Sequence, residues 1–130
     1  MDRLLQDSRV SQIPLTKSLT VGKNASFRDV LRQMRLNKTG SACIQEAGKL
    51  CGIFTERDLL SKVLAKGQSL NINVSEVASS PLITTPAGNS IHNVAAAMAM
   101  KHIKRMPVTA EDQALVGVIT ARDLVEAYAR

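Results

Sequence analysis

Leu50-Cys-Gly-Ile-Phe-Thr-Glu-Arg-Asp-Leu59 recurs further along the chain as Leu115-Val-Gly-Val-Ile-Thr-Ala-Arg-Asp-Leu124, with Leu, Gly, Thr, Arg, Asp and Leu identical at matching places. A chain that carries the same strand-to-helix turn twice is built from a duplicated unit. Both copies keep the polar residues Thr, Arg and Asp at that turn, which points to a pair of related polar sites rather than one active centre.

Working outward, the same offset of 65 residues carries Glu46 onto Glu111. Upstream the offset is 64, pairing Val10 with Val74, Ser11 with Ser75, Thr20 with Thr84, Ser26 with Ser90, Val30 with Val94 and Met34 with Met98. The one-residue slip is expected between Met34 and Ser41, where a helix gives way to a strand and insertions are absorbed. The repeats then span 10–66 and 74–129.

Ser26 precedes Phe27, Val30, Leu31 and Met34, and Ser90 precedes Ile91, Val94, Ala95 and Met98. That spacing predicts amphipathic helices capped by Ser, with Asp29 and Asn93 three positions later. Strands are predicted at Leu19 to Val21, Ser41 to Gln45 and Leu50 to Phe54, and again at Leu82 to Thr85, Met106 to Thr109 and Leu115 to Ile119. Ala47-Gly48 suits a two-residue hairpin, because Gly accepts positive φ without a steric penalty. Thr55 and Thr120 each start a further helix, bearing Leu59, Leu60, Val63 and Leu64 in one copy and Leu124, Val125 and Tyr128 in the other. Gly67 is placed to stop the first of these helices. The unit reads strand, helix, strand, strand, helix.

With 130 residues, 45 % hydrophobic and 22 % charged, the chain suits one compact body whose halves share a core. A half of about 55 residues would be marginal alone. The formal net charge of +6 favours anionic partners. No apolar run approaches the ~20 residues of a membrane span, and the first residues lack the basic flank and apolar stretch of a signal peptide, so a cytoplasmic protein is expected. Cys43 and Cys51 have neither metal nor disulfide-framework spacing and read as two small buried apolar residues. His92 and His102 lack partners at metal spacing.

The duplication, the element order and the repeated Gly-x-x-Thr-x-Arg-Asp-Leu turn resemble the cystathionine-beta-synthase (CBS) domain, which occurs in tandem as a Bateman module. Ile103-Lys-Arg-Met-Pro-Val108 is similar to the family's segment leading into its middle strand, and Val74-Ser-Glu-Val-Ala78 to its opening segment, although Ala78-Ser79 stands where Met-Thr is frequent. The resemblance implies an α/β (α+β) fold: two tandem β-α-β-β-α units packed pseudo-symmetrically into one globular module. It implies a regulatory role with an adenine nucleotide or related adenosyl ligand in the cleft between the units. By that resemblance the turn Asp holds ribose hydroxyls, the Thr helps hold ribose or phosphate, and the initial strand lines the adenine pocket. Asp58, Thr55 and the surroundings of Thr20 would then form one site, and Asp123, Thr120 and the surroundings of Thr84 the other. Arg57, Arg105, Met106, Pro107 and Arg122 complete the expected ligand-binding set.

Each residue also has a plainer reading. Thr55 with Asp58, and Thr120 with Asp123, are good helix caps, and such a cap alone is worth ~1 kcal/mol. Arg57 and Arg122 sit in a first helical turn, where the dipole disfavours a cation by about 0.3 to 1 kcal/mol, so their recurrence hints at a phosphate or carboxylate partner. Lys104 and Arg105 could reach phosphates in the second copy, where the first offers only Lys38. Met98, Met100 and Met106 suit core or interface filling.

An enzyme is not expected: there is no Gly-x-Ser-x-Gly, P-loop or His-Cys pair, and two equivalent Asp residues are no acid-base set. Arg28, Arg32 and Arg35 form a basic stripe that would suit nucleic acid, but aromatic residues are only 2 % of the chain and stacking platforms are scarce. A ligand-free dimerisation or protein-interaction module is the other alternative. The family associates through its helices, so a homodimer is expected, regulating an unidentified separate protein. No obligatory cofactor is expected. AMP, ADP or ATP is the preferred regulatory ligand, with S-adenosylmethionine and NAD(H) as alternatives.

Overall fold

The computed structural model describes residues 7–129 and divides them into two compact units: Ser18–Leu82, and the chain up to Lys17 together with Ile83 onward. In the Ser18–Leu82 unit, β1 (Leu19–Gly22) is followed by helix α1 (Phe27–Leu36), β2 (Ser41–Glu46), β3 (Lys49–Thr55) and a helix α2. That last helix starts as an ordinary α-turn at Glu56–Asp58 and continues as a wider π-type coil over Leu59–Leu64. β1 runs parallel to β2, and β2 antiparallel to β3. In the other unit, β4 (Thr85–Pro86), α3 (Ile91–Lys101), β5 (Arg105–Thr109), β6 (Leu115–Thr120) and α4 (Ala121–Tyr128) repeat this plan in a second three-stranded sheet. The architecture is mixed α+β, and the unit order is the one legible in the duplicated sequence.

The local chemistry behaves as the sequence asks. Ser26 Oγ accepts the Asp29 N–H at 3.5 Å and Ser90 Oγ the Asn93 N–H at 3.0 Å. Phe27, Val30 and Met34 on α1, and Ile91, Val94 and Met98 on α3, are buried. Ala47 and Gly48 both take positive φ, 52° and 77°, the two-residue turn that matches strand twist. Buried apolar residues gather into two clusters, one per unit, where a single shared core was expected. Phe27 and Phe54, their rings edge to face with centroids 5.1 Å apart, anchor the first.

The units cut the chain differently from the repeats. A 3₁₀ turn at Val10–Gln12 belongs with α3: Val10 donates its N–H to Asn89 O at 2.9 Å and packs with Ile91, Val94 and Met98. Its counterpart at Val74–Val77 belongs with α1, Val74 donating to Ala25 O at 3.0 Å. The lead-in segment of each repeat therefore closes the core of the other repeat's sheet.

Three further expectations are corrected. First, the one-residue slip lies in the β-hairpin rather than between Met34 and Ser41. Ser41 opposes Thr55 and Arg105 opposes Thr120, so the offset is still 64 at the start of the middle strand and becomes 65 only across the hairpin. A tight turn at Ala47-Gly48 is replaced by a longer loop closed by Ala110 donating to Ala114 O at 2.9 Å, and loop tips absorb insertions most cheaply. Second, the initial strand of the second unit is not Leu82 to Thr85 but Thr85–Pro86. The register of β4 on β5 would set Thr84 opposite Pro107, which has no N–H to give to a ladder. Third, Cys43 is buried but Cys51 is exposed. Register shifts in β3 and β6 leave Cys51 and Val116 as the extra residue at the same place in each hairpin, and such a bulge turns the side chain outward.

Partial desolvation by its neighbours pushes the exposed Cys51 thiol up, with the Glu46 charge adding to it and Lys23 opposing. Burial also raises Cys43, against a hydrogen bond from Ser18. A raised pKa keeps the thiol protonated, and the thiolate is the reactive form. A thiol reagent is therefore expected to label Cys51 alone in the folded protein, slowly near neutral pH and faster as pH rises past the ordinary thiol range of about 8.5. Cys43 should react only on unfolding, as peptide mapping would show.

Candidate functional site

β3 ends at Thr55, whose extended backbone (φ −128°, ψ 167°) turns the chain into α2. The first turn of a helix leaves N–H groups without partners, and here two residues satisfy each other. Thr55 N–H donates to Asp58 Oδ2 at 2.9 Å, and Asp58 N–H donates to Thr55 Oγ1 at 3.4 Å. β6 and α4 repeat this: Thr120 N–H to Asp123 Oδ2 at 2.9 Å, and Asp123 N–H to Thr120 Oγ1 at 3.0 Å. The capping reading of these residues is thus met in full, and it aims both carboxylates along the strand ends.

A third group joins each pair, and the sequence reading did not single it out. Ser79 Oγ donates to Asp58 Oδ2 at 2.5 Å, and Thr16 Oγ1 donates to Asp123 Oδ1 at 2.9 Å and Oδ2 at 3.0 Å. Ser79 and Thr16 end the two lead-in segments and run beside the hairpins, Ser79 N–H bonding Ile53 O at 2.8 Å and Thr16 N–H bonding Val118 O at 2.9 Å. At Gly117 that approach is tight enough to favour glycine, whereas at Gly52 the approaching segment leaves room for a Cβ. A Cβ on Gly117 would stand 3.1 Å from Leu15 Cβ, and one on Gly52 would stand 3.7 Å from Ala78 Cβ. A glycine kept in both copies, with a hydroxyl ending each lead-in, was the available signal.

The surroundings of the two carboxylates differ. Asp58 is only 6 % exposed and pairs with Lys62, whose ammonium lies 3.5 Å from Oδ1 and also donates to the Ala78 carbonyl. Asp123 is half-buried, and among the described residues it forms no ion pair. Beside Thr55 in the sheet register stands buried Ser41, whereas beside Thr120 stands half-buried Arg105. Lys104 is exposed, and its carbonyl accepts the Ala121 N–H at 2.9 Å, which ties the lead into β5 to the start of α4.

A family model described as the CBS domain matches residues 10–65 and 74–130. The chain belongs to the CBS-domain family. It is similar to the CBS domain-containing protein YhcV of Bacillus subtilis, 29 % identical over 117 residues that span 90 % of this chain and 83 % of that one. The solved structure of an uncharacterized conserved protein from Pyrococcus horikoshii superposes with a TM-score of 0.86 at 27 % identity, over 96 % of this chain and 95 % of that one. A CBS domain protein from Pyrobaculum aerophilum complexed with AMP superposes with a TM-score of 0.80 at 24 % identity, over 95 % of this chain and 100 % of that one, and so shares the fold.

The remaining expected site residues of this CBS pair are described within the unit that carries each. Arg57 and Arg122 are exposed; Arg122 Nε lies 3.3 Å from Glu126 Oε1 on its own helix, so its first-turn position has a local partner. Thr20 is exposed on β1, where it pairs with Cys43 further along β2 than the Ser41 position. There it lines an open depression of about 320 Å³ with Val21, Gly22, Gln45, Ala47 and Gly48. Thr84 is exposed ahead of β4, and its neighbour Thr85 is the buried residue, accepting from Asn89 Nδ2 at 3.1 Å. Met106 is buried in the core cluster and Pro107 is buried beside it on β5. Among the described residues no three of His, Cys, Asp and Glu gather as metal ligands would, and no helix is long and apolar enough to cross a membrane.

The hydroxyls of Ser79 and Thr16 are held by charged acceptors, and such bonds contribute about 1.5 to 3 kcal/mol. Ser79→Ala should therefore lower the unfolding free energy by about 2 kcal/mol. Thr16→Val, at a more exposed carboxylate, should cost about 1 kcal/mol. Urea titrations followed by circular dichroism would measure both, and losses within error of zero would remove these hydroxyls from the turn's support.

Proposed function

We propose that this CBS pair is a regulatory module, not a catalyst, that binds an adenosyl ligand at its capped turns, by preference an adenosine phosphate. The observation that carries this reading is the Thr120–Asp123 turn. A carboxylate has room for about four donors, and among the described residues Asp123 accepts from the Thr120 N–H and the Thr16 hydroxyl alone. It can still accept the two hydroxyls of a ribose. Arg105 at the neighbouring register position supplies a cation of the kind that phosphate attracts, and the net charge of +6 favours an anionic ligand. The AMP held by the Pyrobaculum protein supports the same class. Ligand binding would report the balance of adenosine phosphates in the cytoplasm to a partner protein.

Association of two copies belongs to the same proposal. Leu60 and Leu64 on α2 are each 63 % exposed, and Val125 and Tyr128 on α4 are 58 % and 46 % exposed. Apolar helix faces left open in this way are suited to burial against a second copy. The basic stripe remains a solvated face in this reading: Arg28, Arg32 and Arg35 are exposed, and Arg32 pairs with Asp29 at 3.2 Å.

A ligand present at about 100 times its dissociation constant stabilises the folded state by about 2.7 kcal/mol. Saturating AMP or ATP is accordingly expected to raise the urea midpoint by a matching amount, with no such effect from GMP. The gain should disappear in Asp123→Ala. Equal stabilisation of that variant would show that the ligand sits elsewhere, and no stabilisation by any adenosyl compound would favour the ligand-free interaction module. For assembly, sedimentation at micromolar concentration should give twice the 14.0 kDa chain mass, falling to the single chain when Leu64 and Val125 are replaced by Glu.

A further inference from the structure

The two turns carry the same Thr and Asp, yet their carboxylates are engaged to different degrees. Asp58 Oδ2 takes three donors, the Thr55 N–H at 2.9 Å, the Thr55 hydroxyl at 3.0 Å and the Ser79 hydroxyl at 2.5 Å, and Oδ1 faces the Lys62 ammonium at 3.5 Å. Lys62 is fixed a second time by the Ala78 carbonyl, on the same segment that brings Ser79. We infer that Lys62 is a latch that closes the Asp58 turn, so that each chain takes one adenosyl ligand, at the Asp123 turn. The inference rests on the adenosyl reading above and adds to it which turn is open and what shuts the other.

A ribose diol offers only neutral donors, so to displace Lys62 it would have to leave a buried carboxylate without its cation. Leaving a buried carboxylate without its cation is unfavourable even though Lys62 itself is partly exposed, with 31 % of its side chain open to solvent. The Asp123 turn poses no such demand, because the residue at the position matching Lys62 is Ala127. The helices differ to match. α2 widens into the π-type coil directly after Asp58, with Ala65 donating to Leu60 O at 3.0 Å, and Lys62 lies on that coil, whereas α4 is α-helical throughout. A π-type stretch departs from the best backbone geometry and is frequently found at functional positions. The phosphate-attracting cation completes the contrast, since Arg105 borders the open turn and Ser41 the closed one.

Calorimetric titration with AMP, ATP, S-adenosylmethionine and NADH in turn, using the full chain, separates the outcomes. The wild-type protein should bind one equivalent of its ligand per chain, and Asp123→Asn should abolish that binding. Lys62→Met, which keeps the aliphatic stem, should raise the stoichiometry to two, and Lys62→Gln provides a second variant should Met disturb the coil. Adding Asp58→Asn to either should return it to one, with circular dichroism confirming the fold of each. Two equivalents in the wild type, or one equivalent in folded Lys62 variants, would overturn the latch while leaving the adenosyl reading intact. No binding of any of the four compounds to wild type or Lys62 variants would overturn both.

Discussion

In each unit the N–H of the Thr that ends a strand is held at 2.9 Å by the carboxylate of an Asp three residues into the following helix. That bond sets the angle at which the helix leaves the sheet, and it supplies a partner to a donor that the helix itself cannot satisfy. It also leaves a carboxylate standing at the strand ends, where a lead-in segment from elsewhere in the chain must supply a hydroxyl. In the second copy the Gly of the repeated motif belongs to the same arrangement, because a Cβ on Gly117 would crowd Leu15 at 3.1 Å, whereas Gly52 leaves Ala78 at an ordinary contact distance. Thr and Asp recur together because one piece of geometry needs both.

Element order, helix caps and the capped turns were legible because they depend on contacts close in sequence: a period of 3.6, a Ser before it, an acid three residues after a Thr. What the sequence hid depends on pairing across the chain. The hairpin slip was misplaced because aligning Glu46 with Glu111 looks continuous, and only strand register shows that Ser41 answers to Arg105. The exposure of Cys51 follows from a bulge, which alternation of residue types does not announce. The shortness of β4 follows from Pro107 standing on the neighbouring strand. Thr16, Ser79 and Lys62 matter through their contacts with Asp123 and Asp58, and Thr16 reaches its Asp across more than a hundred residues.

Burial decides which of the charged groups bear on the site. Lys23 with Glu46, Arg32 with Asp29 and Arg122 with Glu126 are exposed pairs, each worth about 0.2 to 1 kcal/mol and screened by salt. They follow from a well-charged surface and explain why Arg122, which looked costly beside the helix dipole, is tolerated. Lys62 with Asp58 is of another kind. The carboxylate is out of water and ringed by donors, so the cation there bears on the chemistry the turn can perform and not merely on its surroundings.

The exchange of lead-in segments has a consequence for how the two turns could come to differ. Thr16 precedes the strands of the first repeat but serves Asp123 of the second, and Ser79 precedes the strands of the second but serves Asp58 of the first. A substitution in either lead-in therefore alters the carboxylate of the opposite repeat while leaving its own Thr-x-Arg-Asp turn unchanged. Lys62, on α2, acts on the Asp58 turn of its own repeat. The cap, which each helix needs in order to start, can thus stay constant in both copies while the groups around it diverge independently. Identity of the repeated motif is evidence of equal folding, and it does not extend to equal binding.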